Sequence, residues 1–201
     1  MTRYLPGVIA MAAIVVASNI LVQFQFGNWL TWGAFTYPFA FLVTDVINRI
    51  HGAQAARKVV LAGFVVGVAS SLIAAGMDRT TLRIAIGSGT AFLLAQLLDV
   101  TIFDRLRAGT WWKAPFVSTF FGSAVDTFLF FSIAFAASLS FINPADDVTW
   151  AAERLPLIGI GPDVPLWVSL AAADWLVKLG LAIIALAPFR AIVTHLTRPA
   201  R

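Results

Sequence analysis

The stretch Val59-Val-Leu-Ala-Gly-Phe-Val-Val-Gly-Val-Ala-Ser-Ser-Leu-Ile-Ala-Ala-Gly76 decides the fold class. It holds no charged side chain, and as a helix rising 1.5 Å per residue it covers about 27 Å, close to the thickness of a bilayer's hydrocarbon core. Gly63, Gly67 and Ser71 recur every four residues, the small-residue spacing that lets two membrane helices pack closely. Comparable apolar runs lie on either side. Six spans follow: Leu5–Gln23, Ala34–Asn48, Val59–Gly76, Ile84–Phe103, Ala114–Ile142 and Leu166–Ala187. The second is short and the fifth long, so these two are expected to be bent, tilted or partly interfacial. Pro38 falls in the first turn of the second span, where its missing N–H costs little. The strand-like alternation of a membrane barrel is absent, so helices are left to satisfy the backbone in lipid. The first span reads as a retained helix, because Arg3 alone makes a weak n-region and no small-x-small cleavage site follows Gln23.

Composition agrees. The chain has 201 residues, of which 60% are hydrophobic and 12% charged, and its mean hydropathy is +0.87. Soluble proteins carry about twice that share of charge. The expectation is an all-α integral membrane protein, residues 1–201 forming a single six-helix transmembrane domain. Disordered, collagen-like, nucleic-acid-binding and disulfide-stapled classes are excluded, and with no cysteine there is neither thiolate metal site nor thiol nucleophile.

Orientation follows from the basic residues. Arg3, Arg49, Arg57, Lys58, Arg105, Arg107, Lys113, Arg190, Arg198 and Arg201 lie in the termini and even-numbered connections, ten against the three of Arg79, Arg83 and Arg154 in the odd ones. Both termini are therefore expected in the cytoplasm, with 143–165 facing outward. Trp29, Trp32, Trp111, Trp112, Trp150 and Trp167 sit at span ends, where an indole buries its body and wets its N–H. Residues 148–157 read either as a short helix lying on the outer surface or as plain loop. The basic connections 57–58 and 105–113 serve as orientation signals in contact with anionic membrane lipids.

Five ionisable residues remain inside the spans: Asp45, Asp99, Asp126, Asp174 and Lys178. An aspartate in mid-helix costs about 2.5–3.5 kcal/mol on insertion scales, so each needs a reason. Asp174 and Lys178 share a helical face four residues apart, as do Asp45 and Arg49, and mutual neutralisation that only specifies packing is the alternative to function. Asp126 lies about 18 Å along its helix from Ala114, near the bilayer middle, with Asp174 and Lys178 at similar depth. Asp45 and Asp99 lie within about two turns of the cytoplasmic ends of their spans. Gln96 shares a face with Asp99, and Ser118, Thr119, Gly122, Ser123 and Asp126 make a small, polar stripe. Ser18, Asn19 and Gln23 add polar groups to the first span. Carboxylates and amides among 17 phenylalanines suit a flat, polar heteroaromatic solute. An aspartate complements the N1–H and exocyclic amine of a guanine-type edge, although composition does not select that ligand over others.

The stretch Gly33-Ala-Phe-Thr-Tyr-Pro-Phe-Ala-Phe-Leu-Val-Thr-Asp-Val-Ile-Asn-Arg-Ile-His-Gly52, running on to Ala55-Ala-Arg-Lys58, resembles the signature of the bacterial queuosine-precursor transporters, in the vitamin-uptake transporter group. The resemblance continues through Ala95-Gln-Leu-Leu-Asp-Val100, Phe103-Asp-Arg-Leu-Arg107, Trp111-Trp-Lys-Ala-Pro115 and Ser118-Thr-Phe-Phe-Gly-Ser-Ala-Val-Asp-Thr127, with Ser18-Asn19 before it and Asp174 and Lys178 after. It implies a six-helix protein of the bacterial inner membrane, similar in fold to the substrate-binding subunits of energy-coupling-factor transporters. The implied activity is import of 7-cyano-7-deazaguanine and its aminomethyl analogue for tRNA modification. The positions carried over are Asn19, Thr44, Asp45, Arg49, Gln96, Asp99, Ser118, Asp126, Asp174 and Lys178. Family members often have an acidic residue and a tyrosine near positions 49 and 51, where this chain has Arg49 and His51, a subgroup difference.

The leading expectation is thus a transporter that recognises a 7-deazaguanine base at mid-membrane through Asp126 and Gln96, with Asn19 and Thr44 assisting. Asp45, Asp99 and the Asp174–Lys178 pair hold helices or exchange a coupling proton. The alternative is a substrate-binding subunit for a vitamin-like solute, energised by a separate ATP-driven module, because the chain has no Walker A loop. An enzyme is not expected: G-x-S-x-G and H-E-x-x-H are absent, and His51 and His195 lie far apart in sequence. No cofactor, metal or nucleic-acid partner is expected, and monomer and homo-oligomer both stay open.

Overall fold

Where the apolar runs are long and uninterrupted, backbone groups in a low-dielectric setting can only bond within their own segment, and the chain becomes helical. The computed structural model describes residues 2–197, so Arg198 and Arg201 of the charge argument lie outside the described residues. The helices are α1 (Leu5–Leu21), a single turn α2 (Gly33–Thr36), α3 (Phe39–His51), α4 (Ala53–Gly76), α5 (Leu82–Leu106), α6 (Lys113–Phe135) and α7 (Leu166–Leu196). Helices α4 to α7 are long and apolar enough to cross a membrane, and α1 is a shorter apolar helix of 17 residues. Two small antiparallel hairpins lie between helices, β1 (Gln25–Phe26) with β2 (Leu30–Thr31) and β3 (Arg154–Pro156) with β4 (Asp163–Pro165).

The second apolar run is broken in two. Tyr37 and Pro38 separate α2 from α3, and Pro38 sits just before the helix, where its carbonyl accepts from Phe41 N at 3.1 Å. As one straight helix Gly33 to His51 would cover about 28 Å. Gly52 joins α3 to α4 in one residue with φ +84°, a conformation that costs a glycine nothing. At the start of α5, Thr81 caps the helix by accepting from Ile84 N at 3.1 Å.

Three expectations are corrected. The fifth span does not run to Ile142: α6 stops at Phe135, Ala136 turns to an extended conformation, and Ala137–Ile142 continues as 3-10 helix. The sixth does not stop at Ala187. Helix α7 passes through Pro188, which removes one N–H donor without ending it, and continues to Leu196. The segment 148–157 is neither a surface α-helix nor plain loop, for it combines a 3-10 turn at Thr149–Ala152 with strand β3.

Packing places the polar groups inside and the apolar ones on both sides of the helix shell. Met11, Val15, Ala40, Ala56, Val59, Val60, Phe92 and Val100 form the largest buried cluster. Helix α1 lies on the small face of α4, as the spacing of Gly63 and Gly67 predicts: a Cβ at Gly63 would meet Met11 Cγ at 2.5 Å, and one at Gly67 would meet Val15 Cγ1 at 3.1 Å. Outward, Val65, Ile73, Phe128, Ile183 and Ile184 are each more than half exposed. A molecule whose buried residues include Arg83, Asp99 and Lys178 while its outer face is apolar is built for lipid.

Candidate functional site

Helices α6 and α7, with Tyr37 from the break between α2 and α3, bring a compact charged cluster together. Asp174 and Lys178 stand one turn apart on α7, and Lys178 Nζ lies 2.5 Å from Asp174 Oδ2, the neutralisation their spacing anticipates. The same ammonium reaches across to α6, where it donates to Asp126 Oδ2 at 2.7 Å and to Thr127 Oγ1 at 3.0 Å. All three of its protons are thereby used. Thr127 passes its own proton to Asp174 Oδ2 at 2.8 Å. The second oxygen of Asp126 accepts from Tyr37 OH at 2.9 Å, and the Lys178 ammonium stands 5.4 Å from the centre of the Tyr37 ring. Asp126 and Lys178 are buried, while the Asp174 side chain keeps 14% exposure. Pairing and hydrogen bonding of this completeness are what a charge needs to survive away from water.

A second polar group gathers around the middle of α3. Asp45, from α3, has the Ser118 and Thr119 hydroxyls of α6 at 3.3 and 3.4 Å from its two oxygens. Asp99, from α5, is fully buried, and neither of its carboxyl oxygens has a donor. One turn away Gln96 is also fully buried; one end of its amide lies 2.6 Å from Thr44 Oγ1 and the other end has no partner.

The carried-over residues thus fall into separate groups. Asp126, Asp174 and Lys178 are one cluster; Thr44 and Gln96 form a pair between α3 and α5; Asp45, Asp99 and Ser118 gather at α3, α5 and α6. Asn19 is elsewhere: its Oδ1 accepts from Ser71 of α4 at 3.1 Å and its amide nitrogen returns to Val15 O, an interhelical tie between α1 and α4. Arg49 does not pair with Asp45. Its guanidinium donates to the Arg107 carbonyl at 2.6 Å and lies over Phe103, locking α3 to α5.

Sequence reasoning missed three contributors. Tyr37 and Thr127 both stand inside the quoted motifs but carry no charge, so nothing singled them out. Arg83, counted with the outer loop charges, is fully buried. It donates to Ile133 O at 2.6 Å and to Ala136 O, capping the carbonyl end of α6 where a cation is favoured.

Comparisons with known proteins find a family and several relatives. The family described as "Putative vitamin uptake transporter" matches residues 31–193. A "Probable queuosine precursor transporter" of Haemophilus influenzae is 37% identical, over 90% of this chain and 82% of that protein. The "Queuosine precursor transporter" of Escherichia coli is 41% identical, over 61% of this chain and 64% of its own length. A further "Probable queuosine precursor transporter", from Bacillus subtilis, is 27% identical over 80% of this chain and 70% of its own. No solved structure matches the chain. With a match that runs from β2 almost to the end of α7, and relatives named for transport and not for catalysis, the chain belongs to the vitamin uptake transporter family and is a multi-pass membrane transporter, not an enzyme.

Proposed function

We propose that the protein imports the queuosine precursors 7-cyano-7-deazaguanine and 7-aminomethyl-7-deazaguanine across the bacterial inner membrane. The observation that carries this reading is the 37% identity, across nearly the whole chain, to a relative named for that cargo. In this reading residues 1–201 form one six-crossing domain. The α2–α3 pair is the short second crossing, α1 the first, and both termini face the cytoplasm, in keeping with the distribution of basic residues.

The base is read at mid-membrane. Asp126 offers two acceptor oxygens side by side, the complement of a guanine-type N1–H and exocyclic amine. Both are occupied by Tyr37 and Lys178, so binding is an exchange: the base takes the place of those donors, and Lys178 stays neutralised by Asp174. Gln96, held at one end by Thr44, has the other end of its amide free for the base, and Asn19 lies on the α1–α4 wall. Asp45, Asp99 and Ser118 lie on the cytoplasmic side of this site.

The test is equilibrium binding of 7-cyano-7-deazaguanine to purified protein in detergent, with guanine as comparator. Saturable binding that Asp126→Asn weakens tenfold or more, about the 1.4 kcal/mol of one hydrogen bond to a charged group, is expected. Folded protein that binds no deazaguanine contradicts the reading.

A further inference from the structure

Asp99 presents a problem that the binding site does not solve. It is fully buried, neither oxygen has a donor, and it meets the same turn of α6 as Asp45, which is itself 3% exposed: Ser118 and Thr119 face Asp45, and a Cβ on Gly122 would stand 3.2 Å from Asp99 Cβ. Among the described residues every ion pair lies elsewhere: Arg107 with Asp104, and Lys178 with Asp126 and Asp174. Two carboxylates so close, buried and without a cation, cannot both be ionised.

Among the described residues no charged group forms an ion pair with either carboxyl. On α3, Arg49 donates Nη1 to the Arg107 carbonyl, lies over Phe103 and leaves Nη2 without a partner. On α5, Arg107 faces Asp104 and the last carbonyls of α3. On α6, Ser118 and Thr119 approach Asp45 only at 3.3 and 3.4 Å, the serine dividing its proton with Pro115 O. The next acid on α6 is Asp126, two turns away and held by Lys178. On α7 the facing residues are Ala182, Ala185, Leu186 and Phe189, all apolar.

Space decides what can fill the gap. Helices α5 and α6 touch at this level: a Cβ on Gly122 would stand 2.9 Å from Phe41 Cε1, 3.2 Å from Asp99 Cβ and 3.3 Å from Ala95 O. No heteroaromatic base fits there. Beside Asp45 and Thr119, between α3, α6 and α7, lies a cavity of about 10 Å³, the room of a single water. We infer that Asp45 and Asp99 form a single-proton site, the coupling-ion site of the carrier, separate from the Asp126–Asp174–Lys178 cluster that meets the substrate. One proton is shared between the two carboxyl groups, each serving the other as hydrogen-bond partner. A water in that cavity would give the proton a relay out of the pair. This rests on the transporter reading for its role in coupling, while the proton itself is present with or without substrate.

The experiment has two arms. Infrared spectroscopy of the purified, substrate-free protein reads the carbonyl band of a protonated carboxylic acid through a pH titration. The wild-type protein is expected to keep that band at neutral pH, and the double variant Asp45→Asn/Asp99→Asn to lose it. Absence of the band from the wild type, or its unchanged presence in the double variant, overturns the proposal. In the second arm, proteoliposomes with the membrane potential clamped at zero take up 7-cyano-7-deazaguanine. An imposed pH gradient, acid outside, is expected to drive roughly tenfold accumulation per pH unit for one proton per solute. In Asp99→Asn whatever uptake remains is expected to ignore the gradient. Accumulation driven by a sodium gradient and indifferent to pH overturns the coupling role. A wild-type protein that shows the infrared band and moves no deazaguanine instead refutes the transporter reading. The wild-type measurements stand even if the variant fails to fold.

Discussion

Replacing Lys178 with methionine is the sharpest test of the central cluster. Methionine keeps much of the side chain's length and removes only the ammonium. Lys178 and Asp126 have side chains 5% exposed and Asp174 14%, so water cannot take over the lost contacts. The substitution strands two carboxylates and a threonine hydroxyl that now share three donor contacts of 2.7, 2.5 and 3.0 Å. Removing one partner of a buried ion pair costs about 3–5 kcal/mol, against about 0–1 kcal/mol for an exposed pair. For a chain of this size that is a fall of about 6–20 °C in the unfolding midpoint. Thermal unfolding of the purified protein in detergent, followed by tryptophan fluorescence, reads it directly. Lys178→Met/Asp126→Asn should recover part of the loss, because the second change removes one stranded charge, giving a coupling of about 1–3 kcal/mol. Acid should also narrow the gap between Lys178→Met and wild type, since protonating a stranded carboxylate removes its charge. A Lys178→Met midpoint within a degree or two of wild type, or strictly additive effects of the two changes, would refute the reasoning.

Three further outcomes follow from particular contacts. Gly122→Val puts side-chain atoms where a lone Cβ already stands 2.9 Å from Phe41, and should cost about 1–3 kcal/mol in the same unfolding assay, with Gly122→Ala the milder change. Arg83→Gln loses two carbonyl bonds at the end of α6 and should cost about 3 kcal/mol, whereas Arg79→Gln at an exposed position should stay within about 0.5 kcal/mol. Thr44→Val frees the bound end of the Gln96 amide and should weaken 7-cyano-7-deazaguanine binding a few-fold while Asp126→Asn weakens it more, as titration calorimetry can rank.

Much of this architecture is legible in the chain because lipid leaves the backbone so few options. The long run Val59–Gly76 became α4, and the Gly63–Gly67 spacing identified the face that meets α1, since only small residues allow that approach. Local pairing was legible too: Asp174 and Lys178 meet because one helical turn separates them. What spacing along one helix cannot show is which other helix supplies the partner. Asp126 belongs to Lys178 on account of the α6–α7 contact, and Tyr37 joins them because the chain breaks at Pro38 and turns a phenol inward. Asp45 and Arg49 had the same spacing as the real pair yet form no ion pair: Arg49 donates instead to the Arg107 carbonyl and lies over Phe103. Arg83 was hidden by its neighbours: next to Asp78 and Arg79 it reads as a loop charge, and only the end of α6 above it makes it a buried cap. Helix ends were the least legible. The sixth span reads as ending at Ala187, but α7 runs on through Pro188 to Leu196, because a single missing N–H is tolerated inside a long helix.

The central claim is that this chain, alone, carries a 7-deazaguanine base through the membrane. Uptake of labelled 7-cyano-7-deazaguanine by liposomes containing only the purified protein tests it most directly. The account predicts saturable uptake that unlabelled 7-aminomethyl-7-deazaguanine competes and that Asp126→Asn abolishes. Tight binding in detergent with no uptake by the lone protein, restored only by an ATP-driven partner, would contradict it and make the chain a substrate-binding subunit.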